Sequence, residues 1–275
     1  MYSKIIPVLA HVLLVLCLAD IHRCATVGQR VEINVHQGVG GRIVGGVPAT
    51  QAQGKHQCSL HITGWFGVTH VCGCSLYGTR FAITAAHCTE QFTKDTMIVK
   101  YGGLNVKNLD NEITVVEVRQ HEAYNTPILY NNDYSVLVLG ADIKTSAGRV
   151  ETIELVDSEP ADGVDAELTG WGDVVGGTDS GPDALQYQVF QIVSSAECKR
   201  IYAPYGVEVT EMNICTKHKS STGCNGDSGG PLIVGGKLAG IVSWGVDGCP
   251  SDTTQYPAAY ANVYTGKQWL LSKLQ

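Results

Sequence analysis

The stretch Cys224-Asn225-Gly226-Asp227-Ser228-Gly229-Gly230-Pro231 constrains this chain more than any other. A serine stands between an aspartate and a pair of glycines, with another glycine shortly ahead of it. Lacking Cβ, glycine reaches left-handed backbone conformations and lets other groups approach the main chain. A serine presented as a nucleophile, beside backbone N–H groups that receive an oxyanion, needs both properties. Taken alone, the run reads equally well as a glycine-rich loop between strands.

The N-terminus bears on the compartment. Lys4 precedes an apolar stretch from Ile5 to Ala19, interrupted by Pro7 and His11, which is too short to span a bilayer and suits a secretory signal. Residues 1–19 read as a signal peptide, with small residues placing the cleavage site anywhere up to Ala25. No later segment is apolar enough to cross a membrane, so the expectation is a secreted, extracellular protein. Export makes the ten cysteines candidates for disulfides rather than reduced thiols. With 32 glycines and only 16% charged residues in 275, the chain reads as globular, loop-rich and rich in β-structure. A formal charge of −7 argues against nucleic acid as a partner. Short apolar runs such as Ser59-Leu60-His61-Ile62 and Phe81-Ala82-Ile83, separated by turns, predict strands of an antiparallel barrel.

Residues 226–231 read GDSGGP, and Thr84-Ala85-Ala86-His87-Cys88 and Asn132-Asp133-Tyr134-Ser135-Val136 lie upstream in the order His, Asp, Ser. Ile43-Val44-Gly45-Gly46 follows a glycine-rich segment that ends in Arg42. On these motifs the chain resembles the chymotrypsin-like (trypsin-fold) serine proteases, over essentially all of Ile43 to Gln275. The resemblance implies an all-β fold of two six-stranded antiparallel barrels with a C-terminal α-helix. Trp269, Leu270 and Leu274 recur at helical spacing in that last stretch, Gly266 to Leu274, which is expected to pack on the second barrel. Leu168-Thr169-Gly170-Trp171-Gly172 resembles a strand of the second barrel. The small, polar stretch from Ala141 to Arg149 suits the linker between the halves, and 176–182 reads as a surface loop.

For the chemistry, the resemblance implies Ser228 as nucleophile, His87 as general base, Asp133 as the carboxylate that orients the imidazole, and the N–H groups of Gly226 and Ser228 as oxyanion donors. It also implies a precursor. Residues 20–42 would be an activation propeptide and 43–275 the protease domain. Cleavage after Arg42 by a trypsin-like protease would free Ile43 to pair with Asp227, a buried carboxylate left unpaired until then.

The resemblance further implies the disulfides Cys72–Cys88, Cys198–Cys215 and Cys224–Cys249. Cys72, Cys74, His87 and Cys88 have spacings that zinc would accept, but pairing Cys72 with Cys88 and assigning His87 to catalysis sets that reading aside. Cys58 and Cys74 depart from the family, most of whose members have an apolar residue and a glycine there. They fall on the two strands of one hairpin, and a Cys58–Cys74 bridge is expected if the two face each other in a non-hydrogen-bonded pair. Asp110, Asn111 and Glu112 read as a solvated acidic turn rather than a calcium loop, so neither metal nor cofactor is expected.

Specificity rests on the residue six before the nucleophile, where an aspartate selects Arg or Lys in the family; here it is Thr222, followed by Gly223. A buried cation would find no carboxylate there to offset its desolvation. The other walls would be Ser243, Trp244, Gly245 and Ala258, clamped by Cys224–Cys249; Gly245 leaves the entrance open, and Ala258 adds a methyl to one wall. The expected activity is hydrolysis of protein or peptide substrates after large or medium apolar residues, through an acyl-enzyme. An elastase-like or broad digestive specificity, and a catalytically silent homologue that only binds partners, are the alternatives. Asp247 and Asp252 read as solvated loop residues, although either could hold a basic side chain by turning inward. A monomer is expected, with an activating protease and protein inhibitors as partners. There is no Asn-x-Ser/Thr site for N-glycosylation.

Overall fold

Period-two patterning closes this chain into two rings of antiparallel strands. The computed structural model describes residues 35–36, 43–65, 67–172 and 183–275. Arg42, the expected signal peptide, most of the expected propeptide and the 176–182 segment lie outside the described residues. The strands β1 (Val35–His36) and β2 (Val47–Pro48) precede the first ring. That ring comprises β3 (Gln57–Gly64), β4 (Gly67–Tyr77), β5 (Phe81–Thr84), β6 (Met97–Tyr101), β7 (Asn111–Gln120) and β8 (Ser135–Leu139), closed in the order β3-β4-β5-β8-β7-β6. The second contains β9 (Asp165–Gly170) and β10 (Gln186–Val193), then the helix α1 (Ser195–Tyr202). It continues with β11 (Asn213–Lys217), β12 (Pro231–Val234), β13 (Lys237–Val246) and β14 (Ala258–Asn262), before the final helix α2 (Val263–Lys273). Its pairings run β9-β10-β11-β14-β13-β12 and back to β9, so the expected pair of six-stranded barrels is present.

In β6, Met97, Val99 and Tyr101 are buried while Ile98 and Lys100 are only half-buried, as expected for a strand with one face on a core. β3 is different, because its first five residues are all buried. Cys58 and Leu60 enter the apolar core of the first barrel, while Gln57 and Ser59 turn polar side chains toward the second barrel's side, as described below. A β-bulge between Leu60 and His61 shifts the β3–β4 register, so that Leu60 faces Cys72 and His61 faces His70.

All four expected disulfides form: Cys58–Cys74, Cys72–Cys88, Cys198–Cys215 and Cys224–Cys249. Cys58 and Cys74 are direct partners across β3 and β4, with Cα atoms 4.8 Å apart, within the reach of a bridge. Asp110 and Glu112 are engaged by cations of the chain itself, Arg149 and Lys100 respectively.

Two expectations change in detail. The connection between the barrels is longer than Ala141 to Arg149, running from the end of β8 to the start of β9, and it is docked rather than loose. Ile143, Val150, Ile153, Leu155 and Val156 are buried along it. The C-terminal helix begins before Gly266, because the Asn262 side chain accepts hydrogen bonds from the N–H groups of Tyr264 and Thr265 and caps it. It also packs on more than the second barrel. A Cβ on Gly266 would lie 2.5 Å from Cζ of Tyr134, the residue just ahead of β8, so glycine lets the helix approach the first barrel's aromatic ring.

Candidate active site

His87 lies in a short 3-10 turn, Ala86–Cys88, fastened to β4 by the Cys72–Cys88 bridge. Asp133 stands just before β8, at the end of a loop in which Asn125, Tyr130 and Asn132 all have φ near +60°. Asparagine tolerates that left-handed region better than most residues. Here its side chains also satisfy the turn: Tyr130 N–H donates to Asn125 Oδ1 at 2.8 Å, and Asn132 Nδ2 donates to Ala123 O at 3.0 Å.

The loop delivers Asp133, fully buried, to His87. Oδ1 accepts from the His87 backbone N–H at 2.9 Å, and Oδ2 lies 2.8 Å from His87 Nδ1. Ser243 Oγ donates to the same Oδ2 at 2.6 Å. An ionised carboxylate can only accept, so Nδ1 carries the proton and Nε2 presents its lone pair. Among the described residues Nε2 is buried without a hydrogen-bond partner. Ser228 Oγ is therefore not hydrogen-bonded to it, and the structure joins His87 to Asp133 but leaves the contact with the serine open. Such contacts often close only when substrate is bound.

Ser228 is held from behind chiefly by main-chain groups. Gly226 and Gly229 have φ of +87° and +75°. Asp227 N–H donates to Cys224 O at 3.0 Å, Gly229 N–H to Val242 O at 2.9 Å and Gly230 N–H to Asp227 O at 2.8 Å. From the first barrel, Gly73 N–H donates to Ser228 O at 2.7 Å, and His70 Nε2 lies 3.1 Å from Gly226 O. The N–H groups of Gly226 and Ser228 have no acceptor among the described residues, as oxyanion donors require. A Cβ at Gly229 would fall on Thr84 Oγ1 and 3.2 Å from Ala85 N, so this loop adjoins the segment leading to His87.

Asp227 is fully buried behind the serine. Its Oδ1 accepts from Gly172 N–H at 2.7 Å and its Oδ2 from Cys224 N–H at 2.9 Å. Both carboxylate oxygens of Asp227 are thus solvated by backbone amides. Ile43 is fully buried in the apolar core of the second barrel, and Val44 pairs with Thr222. Gly170 is confined to glycine because a Cβ there would collide with Asp227 Oδ1.

Beside Ser228 opens a cavity of about 60 Å³. All of the expected wall residues, Thr222, Gly223, Ser243, Trp244, Gly245 and Ala258, line it. Thr222 Oγ1 donates to Gly223 O at 3.0 Å. Gly245 has open space where a Cβ would stand. Asp247 also lines the cavity, but its Oδ1 accepts from the neighbouring Gly248 N–H at 2.9 Å. Asp252 turns to Thr254 instead. The backbone of β1 runs antiparallel along the cavity's rim, Val35 opposite Val246 and His36 opposite Gly245.

Ser243 was legible only as a pocket wall, and its bond to Asp133 had no sequence signal. The same holds for His70, Gly73 and Thr84, whose contacts join strands distant along the chain.

The family model described as trypsin matches residues 43–270. Trypsin beta of Drosophila erecta is 36% identical over 232 residues, covering 84% of this chain and 88% of that protein. Trypsin alpha-4 of Lucilia cuprina is 35% identical over 84% of this chain and 87% of its own length. Among solved structures, neuropsin, a serine protease expressed in the limbic system of mouse brain, superposes with a TM-score of 0.74 at 27% identity. It covers 84% of this chain and all of its own.

Proposed function

This chain belongs to the trypsin family of serine endopeptidases, and we propose that it is a secreted member, made as an inactive precursor and acting through His87, Asp133 and Ser228. The observation that carries the reading is the His87 ring, fixed through Nδ1 by buried Asp133 at 2.8 Å with Nε2 left to take a proton. His87 removes the Ser228 proton as Oγ attacks the substrate carbonyl. Negative charge on the carbonyl oxygen is received by the N–H groups of Gly226 and Ser228, each such donor being worth on the order of 10²–10³ in rate. Asp133 stabilises the imidazolium, which then protonates the leaving amine; water repeats the sequence on the acyl-enzyme.

Cleavage after Arg42 is the proposed activating step, with residues 1–19 as the signal and 20–42 as the propeptide. The freed Ile43 amino group would join the Asp227 carboxylate beside the two amides it already binds. The backbone of Val35–His36 supports a blocked precursor, since it pairs with Gly245–Val246 where an extended substrate would add to the same edge. The proposed partners are peptide substrates, an activating protease and protein inhibitors, met by a monomer.

For specificity, the cavity supports cleavage after apolar side chains: Thr222 offers a hydroxyl turned to its neighbour's carbonyl and Ala258 a methyl. A second reading, cleavage after Arg or Lys, draws on the trypsin names of the relatives and on Asp247 in the lining. Asp247 is exposed and caps its own loop, so it cannot neutralise a buried cation without giving up that bond.

The test is to cleave the precursor at Arg42 and treat it with a fluorophosphonate. Labelling at Ser228 that disappears in Ser228→Ala is expected; labelling that persists elsewhere, or none in the parent, overturns the catalytic assignment and favours a silent binding homologue. Peptides differing only in the residue before the cut then decide specificity, with Phe, Tyr, Leu or Met expected to exceed Arg and Lys. The reverse order would establish the second reading.

A further inference from the structure

We propose that the Cys58–Cys74 bridge is a positioning device for Ser228, acting through Gly73; this rests on Ser228 being the nucleophile. Successive residues of a strand point to opposite faces, so a bridge on one face sets where the neighbouring residues lie on the other. Cys58 and Cys74 are buried in the core of the first barrel, while their neighbours carry polar contacts to the other barrel's side.

Beside Cys58, Gln57 Oε1 accepts from Thr169 Oγ1 of β9 at 2.8 Å. On its other side, Ser59 Oγ lies 2.6 Å from His70 Nδ1, and the far nitrogen of that ring meets Gly226 O. Beside Cys74, Gly73 donates its N–H to Ser228 O at 2.7 Å and accepts from Thr84 Oγ1 at 2.9 Å. A Cβ on Gly73 would lie 2.8 Å from Gly230 Cα and 3.1 Å from Gln57 Nε2, so the loop rests directly on this backbone. The two residues whose N–H groups face the oxyanion therefore both have their carbonyls held from β4.

What those contacts require is a fixed register of β3 against β4, and the nearby bulge between Leu60 and His61 is where register could slip. Cys72–Cys88 fastens one neighbour of Gly73 to the His87 turn; Cys58–Cys74 fastens the other to β3. Gly73 is thus clamped on both sides, and a covalent link across the pair next to it resists slippage where hydrogen bonds alone would permit it.

The test uses the full chain activated at Arg42, as the parent and as two double variants. Cys58→Ala with Cys74→Ala removes the link and leaves space; Cys58→Val with Cys74→Gly removes the link but restores the residue types found in most relatives. In both, kcat on a peptide substrate is expected to fall about tenfold with KM within about twofold, since small displacements of a reacting group act on the chemical step. The Gly73 amide should exchange with deuterium about tenfold faster in each, a readout independent of activity. It keeps the proposal testable even if fluorophosphonate labelling of the parent were to move Ser228 out of the catalytic role. Full kcat and unchanged Gly73 exchange in the Val/Gly variant would show that the cysteines only fill the core and would overturn the proposal. Failure of both variants to fold would overturn it as well, making the bridge a requirement of folding rather than a brace on the serine.

Discussion

The two halves of the candidate site are held by different means. His87 is fixed by side-chain chemistry: one buried carboxylate accepts from its ring, its backbone and Ser243. Ser228 is fixed chiefly by main chain, through carbonyl and amide contacts from both barrels and by glycines where no Cβ fits, with the His70 ring added on Gly226 O. The first half should therefore fail when a functional group is deleted, and the second when an atom is added. A buried, fully satisfied carboxylate network and a tightly apposed backbone are both costly to disturb, for different reasons.

The largest expected effect is on the side-chain half. Asp133→Asn should lower kcat by on the order of 10⁴, because an amide can present an N–H to Nδ1 and favour the wrong tautomer. A loss below about a hundredfold, measured on protein of native circular dichroism, would break the comparison at its first term. Next comes the backbone half. Gly229→Ala adds a methyl carbon that would meet Thr84 Oγ1 and lie 2.6 Å from Gly73 O, at a φ of +75°. About a hundredfold loss of kcat is expected for such a displacement of the nucleophile. Adding Thr84→Ala should recover only part of it, since the Gly73 carbonyl remains in the way; complete recovery would show that a side chain, not the main chain, sets this half.

Ser243→Ala sharpens the contrast at a smaller scale. It removes one hydrogen bond to the Asp133 carboxylate, a charge-assisted kind worth about 1.5–3 kcal/mol, while both bonds to His87 remain. About a tenfold fall in kcat is expected from steady-state kinetics, well short of the Asp133→Asn loss.

The smallest effect concerns stability beside the serine's support. His61 on β3 is buried, and among the described residues neither ring nitrogen has a hydrogen-bond partner. Its pKa is lowered from 6.5 to about 3, chiefly by burial, with His70 on β4 and Lys100 on β6 adding repulsion. The unfolded chain takes up a proton near pH 6.5 and the folded one does not until about pH 3. The stability this neutral ring allows is therefore present above pH 6.5 and is lost as pH falls toward about 3. His61→Leu should flatten the decline of the urea midpoint across that window; coincident curves for the two proteins would remove His61 from the account.

The legibility of these features follows the same division. GDSGGP, the histidine segment and the aspartate segment are local strings, so the proposed catalytic residues His87, Asp133 and Ser228 and the cavity walls are legible in the sequence as candidates. The Cys58–Cys74 pair was visible as an oddity, and hairpin geometry turned it into an expected bridge. Ser243, a wall residue in the sequence, is also a partner of Asp133, which depends on β13 passing the end of the loop before β8. The caps and turns around Asn125, Asn132 and Asn262 rest on single asparagine side chains, a signal too short to place the start of the final helix ahead of Gly266 without the structure.

By itself, then, the sequence determined the reactive residue types, the alternation that makes strands and the glycines that admit close approach, because these are properties of single residues or short spans. Only the tertiary structure decided that the Gly73 N–H holds the Ser228 carbonyl, that the amides of Gly172 and Cys224 solvate Asp227, and that His87 Nε2 has no hydrogen-bond partner among the described residues. Those are relations between backbone segments brought together by barrel closure, and a hydrogen bond between distant amides leaves no mark on the identity of the residues that make it.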